Sequence, residues 1–301
     1  MNYDKFYDDY IEIITTTQRM SVHTKSAYKY DLIQFVQFFR HLENKKDILN
    51  GYLAFLNAKG YKAASIKRKI VSVSLFYDYL VKEKAARENP FKNVDLKLRR
   101  DKRLPRTINI PNIRKILRFL EKERSQSKTE YSSFATSRNL ALFDLLITTG
   151  IRIGEASNIK LEDINFSERI ILIHGKGKKE RLIYVSSGNC WKNLVDYYYL
   201  RKEIVSDSTA FFINKHLYSL GTHSIDSLFR NIIKKLKLNK NITPHCLRHT
   251  FATNLLSNGG DIRTLQELLG HSSIATTEIY THIDLKRKIK VLNKCNYRNK
   301  I

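Results

Sequence analysis

ERIILIHGKGKKERLIYV, residues 168–185, holds two β-rich runs on either side of a Gly-Lys-rich turn. That is the pattern of an antiparallel hairpin. No other stretch gives a strong hairpin signal, and only four Pro and 11 Gly interrupt the 301 residues. The fold expected around it is therefore mostly helical, with one small sheet. Upstream, residues 22–42 repeat Tyr28, Leu32, Phe35, Val36, Phe39 and Leu42 at helical steps. A second helix is expected over 46–58, stopped at Gly60. A third is expected over 63–85, with Ile66, Ile70, Val73, Tyr77 and Leu80 on one face and Lys67, Arg68 and Lys69 opening the other. Asn89-Pro90 closes this block. Downstream, a helix starts near Pro111, a first-turn residue, and another covers 136–149 and stops at Gly150. Further helices are expected near 187–203, 222–237, 245–258, 261–269 and 284–295.

Between the blocks lies KNVDLKLRRDKRLPR, residues 92–106, with seven Lys/Arg against two Asp. The expected organisation is a helical domain over 1–91, a basic linker over 92–106 and a larger domain over 107–301. A length of 301 residues suits two domains. A composition of 42% hydrophobic and 28% charged residues is that of a globular protein. Lys plus Arg total 54 against 29 Asp plus Glu, a net charge of +25. Such an excess calls for a polyanionic partner, and nucleic acid is the first candidate. Candidate phosphate contacts are Arg99, Arg100, Lys102 and Arg103 in the linker, Lys67, Arg68 and Lys69 on the third helix, and Lys178, Lys179 and Arg181 in the hairpin. A solvated charged face is the alternative reading of each run. The three cysteines, Cys190, Cys246 and Cys295, form no C-x-x-C pair, which fits a reducing compartment. No run of 18 apolar residues exists, and the acidic start MNYDKFYDDY lacks the basic leader of a secretory signal. A cytoplasmic protein without membrane contact is expected.

Several chemistries are excluded by their missing motifs. There is no G-x-x-x-x-G-K-[ST] loop and no G-x-S-x-G elbow. His245 and His249 are four apart, but Cys246 stands where a zinc protease has Glu, and no acid completes a site. Neither metal nor cofactor is expected. Six residues remain: Arg152 in TTGIRIGEASNIKLEDI (148–164), Lys176 in the hairpin turn, His245 and Arg248 in TPHCLRHTFATNLL (243–256), His271 in LLGHSS (268–273), and Tyr280 in TTEIYTH (276–282). Each alone has a structural explanation. Together, in this order and spacing, T-G-I-R-I-G-E, G-K-G-K-K-E-R, H-C-L-R-H, L-L-G-H and I-Y-T-H resemble the motif boxes of the tyrosine recombinase family, nearest to Xer-type recombinases and phage integrases. The likeness covers about 145–285. Two departures are small: Ala156 follows Glu155 where a larger apolar residue is commoner, and Cys246 fills a variable position.

The resemblance implies an N-terminal helical core-binding (SAM-like) domain and an α+β catalytic domain with a small β-sheet. It implies a site-specific recombinase that cuts and rejoins double-stranded DNA without metal or ATP. Tyr280 would be the nucleophile, forming a 3′-phosphotyrosyl link and leaving a 5′-hydroxyl, with strands exchanged through a Holliday junction. His245 would accept the tyrosine proton, and Lys176 would protonate the leaving oxygen. His271 would bond a non-bridging oxygen or the tyrosine's surroundings. The chemistry accounts for the residue types. With no metal, negative charge on five-coordinate phosphorus needs guanidinium forks, here Arg152 and Arg248. A phenol with a pKa of about 10 is a moderate nucleophile and a moderate leaving group, so the step reverses. Glu155 is expected to orient the cationic cluster. The tail DLKRKIKVLNKCNYRNKI (284–301), with seven Lys/Arg from 286 onward and an apolar stripe, is expected to dock on a neighbour in a homo-tetramer. An accessory protein is a further expected partner. His249 and the run Tyr197, Tyr198, Tyr199 are read as packing. A DNA-relaxing enzyme of the type IB topoisomerase kind and a non-catalytic DNA-binding protein are the alternatives. Chromosome dimer resolution, element integration or excision, and transposon cointegrate resolution stay open.

Overall fold

The computed structural model describes residues 3–16, 22–42, 47–92, 94, 106–175, 179–270 and 282–301. The chain forms two compact units, Met1–Arg103 and Leu104–Ile301. The first holds helices α1 (Tyr3–Thr16), α2 (Val22–Arg40), α3 (Ile48–Ala58) and α4 (Ala63–Lys82). Helical spacing on each one supplies a shared core: Tyr10 and Ile14 from α1, Leu32, Phe35 and Phe39 from α2, Tyr52 and Leu56 from α3, and Ile66, Ile70, Val73, Phe76, Tyr77 and Leu80 from α4. Phe35 is fully buried and meets Tyr52, Tyr77 and Phe91 edge-on. Burying such a ring contributes on the order of 1.5–3 kcal/mol. α3 begins where the Asp47 carboxylate accepts from the Asn50 amide. One charged link joins α2 to α4: buried Asp31 accepts from Lys69 at 2.9 Å and also from Arg68.

The second unit contains α5 (Ile110–Ser125), α6 (Glu130–Thr149), α7 (Ile153–Ser157), a 3₁₀ turn (Leu161–Asp163), β1 (Ile164–Asn165), β2 (Ile170–His174) and β3 (Glu180–Tyr184). It continues with α8 (Gly188–Glu203), α9 (Thr222–Lys235), α10 (Pro244–Ser257), α11 (Ile262–Leu269), α12 (His282–Cys295) and a final 3₁₀ turn (Tyr297–Lys300). The strands form one antiparallel sheet in the order β1-β2-β3, with Ile173 opposite Arg181 and His174 opposite Glu180. α6 is the hub. From Leu140 to Thr149 every residue is buried, so the helix is apolar nearly all round, and it packs against α5, α8 and α10. It stops at Gly150, whose φ of +64° is left-handed. A Cβ there would lie 2.6 Å from the Phe251 ring on α10.

The observed helices follow the expected ones with shifted ends. Two were not expected: α1, in the acidic leader, and the five-residue α7. Within the single chain, side-chain contacts define where the C-terminal tail lies. It packs on its own domain. Leu292, Cys295 and Tyr297 join the core, and Asn296 donates to the Thr148 carbonyl at 2.8 Å. Arg298 forks onto Asp144 of α6 at 2.7 and 3.0 Å, and both groups are buried. Neither charge is tolerable alone at such a depth, so the tail's seat requires the pair to be kept. No described helix is long and apolar enough to cross a membrane.

Candidate active site

The end of α6, the hairpin and the start of α10 meet around one carboxylate. The chain leaves Gly150 and reaches Arg152, the N-cap of α7. Glu155, in the first turn of α7, accepts from the Arg152 amide at 2.9 Å and from the Arg152 guanidinium at 2.9 Å. A reach-back of this kind satisfies a free helix-start donor. The same carboxylate accepts twice from Arg181 of β3, at 3.1 and 2.7 Å. Burial acts to raise the Glu155 carboxyl. The Arg181 pair, then the Arg152 bonds, outweigh it and hold the group below the usual carboxylate range. Glu155 therefore orients the cationic cluster as an ionised carboxylate.

Arg248 enters from α10. Its guanidinium donates to the Gly150 carbonyl at 3.0 Å and to the Leu269 carbonyl at 2.7 Å, and the residue is only 7% exposed. Burial first, then repulsion from Arg152 and Arg181, pulls its pKa down to about 10 against the attraction of Glu155. It remains protonated at neutral pH. Three guanidiniums and one carboxylate leave two net positive charges in this cluster. The Arg152 side chain is 42% exposed, so the cluster has a face open to an anion. His245 stands exposed in the first turn of α10, three residues before Arg248. A helix start adds further positive potential there. His249 is half-buried. Burial, His245 and Arg248 together lower its pKa, so it sits neutral beside the cluster.

The hairpin has its own brace. His174, at the end of β2, bonds buried Asp163 at 2.9 Å through Nε2 and Glu180 at 2.9 Å through Nδ1. The Asp163 bond, ahead of the opposing effect of burial, raises its pKa. Sequence reasoning passed over His174, although the strand register places it opposite Glu180.

The remaining sequence candidates divide cleanly. Lys176, Lys178, His271, Tyr280, Arg99, Arg100, Lys102 and Arg103 lie outside the described residues. Lys67 and Lys179 are exposed, and Arg68 is half-exposed while paired with Asp31. Two candidate phosphate contacts are corrected. Lys69 is 5% exposed, held by Asp31 and set 4.7 Å over the Tyr61 ring. Arg181 is 6% exposed and committed to Glu155 and the Leu268 carbonyl. Strand alternation carried the missed signal, because Arg181 shares its face with buried Ile183 and Val185. Of the tyrosine run, Tyr197 is buried and Tyr198 packs 4.2 Å from the Phe166 ring, whereas Tyr199 is 63% exposed. The helix turns the third ring outward.

Comparison with known proteins bears on this site. Residues 110–287 match the phage integrase family, and residues 7–84 match the phage integrase N-terminal SAM-like domain. A tyrosine recombinase of Agathobacter rectalis is 35% identical over 297 residues, covering 97% of each chain. Tyrosine recombinase XerC of Pediococcus pentosaceus is 35% identical over 289 residues, 90% of this chain and 91% of its own. Among solved structures, XerH recombinase bound to a palindromic difH substrate superposes with a TM-score of 0.70 at 24% identity, over 93% of this chain and 82% of that one. A lambda integrase dimer bound to a core site gives 0.66 at 18% identity, over 93% of this chain and 100% of that one. At these identities the two structures speak for the fold.

Proposed function

The chain belongs to the phage integrase family of tyrosine recombinases, and from that premise we propose which of its residues cut and rejoin DNA. The function is site-specific DNA recombination by the tyrosine mechanism. Tyr280 attacks the scissile phosphorus. The bond from its oxygen to phosphorus forms as the bond to the 5′-oxygen breaks, so the DNA 3′-phosphate is held as a tyrosyl ester. His245 takes the phenol proton, and Lys176 delivers a proton to the departing 5′-oxygen. Arg152 and Arg248 neutralise the non-bridging oxygens, with His271 beside them. Losing one such donor typically lowers the rate about 10²–10³-fold. A free 5′-hydroxyl from the partner strand then reverses the step and passes through a Holliday junction, in dimer resolution or in integration and excision. The observation that carries this reading is the surplus of two positive charges around Gly150, half-open to solvent and, among the described residues, with no acid but Glu155 bonded to it. It suits a phosphodiester in transit.

Double-stranded DNA is the substrate, and exposed Lys67, Arg68 and Lys179 join the linker arginines and lysines, with Lys178, as its phosphate contacts. Four copies assemble on paired sites by exchanging the segment after Tyr280. The Asp144–Arg298 pair would then re-form between neighbours with the contacts it makes within one chain. An accessory protein orders strand exchange. With DNA as its substrate and bacterial recombinases among its relatives, the enzyme is assigned to the cytoplasm. The test uses wild type and Tyr280→Phe with nicked suicide duplexes from DNA flanking the gene, without metal or ATP. A denaturing gel should show a protein–DNA adduct for wild type only. An adduct of wild-type amount from Tyr280→Phe refutes the nucleophile assignment.

A further inference from the structure

We infer that Arg181 is a positioning residue for catalysis: buried under the site, it sets the angle of Arg152 through Glu155 and, with Arg248, fixes the end of α11. The inference rests on Arg152 and Arg248 being the phosphate-binding pair. Three observations support it. First, both Glu155 oxygens serve Arg181, at 3.1 and 2.7 Å, and both also serve Arg152. The carboxylate therefore has one orientation, and Arg152 takes its direction from it. Second, Arg181 Nε donates to the Leu268 carbonyl at 2.9 Å while Arg248 donates to the Leu269 carbonyl at 2.7 Å. Consecutive last carbonyls of α11 are thus taken by two arginines from different elements. Cations belong at a helix C-terminus, where free carbonyls carry partial negative charge. Third, the helix ends at Gly270, with φ +63°, and a Cβ there would lie 3.1 Å from Arg181 Nη1. The Arg181 side chain thus packs closely against this glycine, the residue before His271 in the sequence. Lysine in place of Arg181 keeps the charge but has no rigid fork, so it cannot hold two carboxylate oxygens and a carbonyl in one plane.

The experiment measures single-turnover adduct formation by the full-length protein on nicked suicide duplexes from DNA flanking its gene. Wild type is compared with Arg181→Lys, Glu155→Gln, the double variant, Arg152→Ala and Tyr280→Phe. Arg181→Lys should bind the duplex as wild type does and melt cooperatively, yet cleave about 10²-fold more slowly, the typical effect of misplacement by about an ångström. A 5′-sulfur leaving group needs no acid, and the deficit should persist on it, because the misaligned groups are Arg152 and Arg248. The double variant should be no slower than the worse single one, since both act in one chain of bonds. Wild-type cleavage by Arg181→Lys overturns the inference, as does full rescue by the sulfur substrate. Cleavage loss that merely follows lost binding or melting overturns it too. Should Arg181→Lys fail to fold, Arg181→Gln is read by the same criteria, and failure of both to fold makes Arg181 a folding residue and overturns the inference. If Arg152→Ala and Tyr280→Phe cleave like wild type, the catalytic assignment fails instead.

Discussion

Replacing Arg298 by Met should unfold the catalytic unit at a markedly lower temperature, because it strands a charge. Asp144 is fully buried, and its carboxylate is held by the Arg298 fork at 2.7 and 3.0 Å. Breaking a buried pair by removing one partner costs about 3–5 kcal/mol. Two other donors remain in place: Asn193 at 2.9 Å and the Thr148 hydroxyl at 3.3 Å. They still satisfy part of the carboxylate, so the lower end, about 3 kcal/mol, is expected. For a unit of this size each kcal/mol moves Tm by about 2–4 °C, which gives a fall of about 6–12 °C. Differential scanning calorimetry of the full-length protein reads this directly. A second variant isolates the cause. Arg298→Met with Asp144→Leu removes both charges and should recover most of the loss, because no ion is left unpaired in the interior. A fall below about 2 °C in the single variant, or a double variant no better than the single one, would refute the reasoning.

Three further outcomes are expected. Gly150→Ala places a methyl against Phe251 in a left-handed backbone; strain of about 1–2 kcal/mol and overpacking of about 1–3 should lower urea stability, with loss of adduct as the Arg248-bearing carbonyl moves. Lys176→Ala should cleave poorly on ordinary DNA and recover on a 5′-sulfur substrate, and absence of recovery argues against its acid role. His174 has a raised pKa in the fold through Asp163 and Glu180, so its stabilising effect is full below its unfolded value of about 6.5 and fades as pH rises through the raised one. The melting difference between wild type and His174→Asn should therefore shrink with increasing pH, and a constant difference would contradict the brace.

Much of this architecture is written in spacing. Leu32, Phe35 and Phe39 mark α2, Gly150 marks the end of α6, and the runs around Gly175 mark the hairpin. What escaped has physical reasons. α1 does carry an apolar stripe, Phe6, Tyr7, Tyr10, Ile11 and Ile14, but Asp4, Asp8, Asp9 and Glu12 are interleaved with it and drew the reading to its charge. α7, at five residues, is shorter than two helical turns and has no periodicity to detect. Glu155 was legible as a partner of Arg152 because three residues make about one turn. Arg181 was misread because charge composition describes a hairpin's appetite for phosphate and says nothing about which face each cation occupies. Lys69 was misread in the same way: only its neighbour Asp31, 38 positions earlier in the chain, explains why an ammonium turns inward. The seat of the tail depends on a buried acid far upstream, Asp144, which lies beyond the reach of local pattern.

The unbalanced charge around Gly150 has a thermodynamic consequence. Arg248 has a depressed pKa chiefly because it is buried and, after that, because Arg152 and Arg181 repel it. A bound phosphate would offset the repulsive part, and by linkage any anion that binds this cluster in the folded state stabilises the fold, by an amount set by its concentration and Kd. A neutral residue at position 152 would ease that repulsion and, on the proposed mechanism, slow the chemistry about 10²–10³-fold. Resistance to heat and capacity to cut DNA thus pull this cluster in opposite directions. A screen for thermostability alone would tend to discard the arginines to which the proposed mechanism assigns phosphate binding.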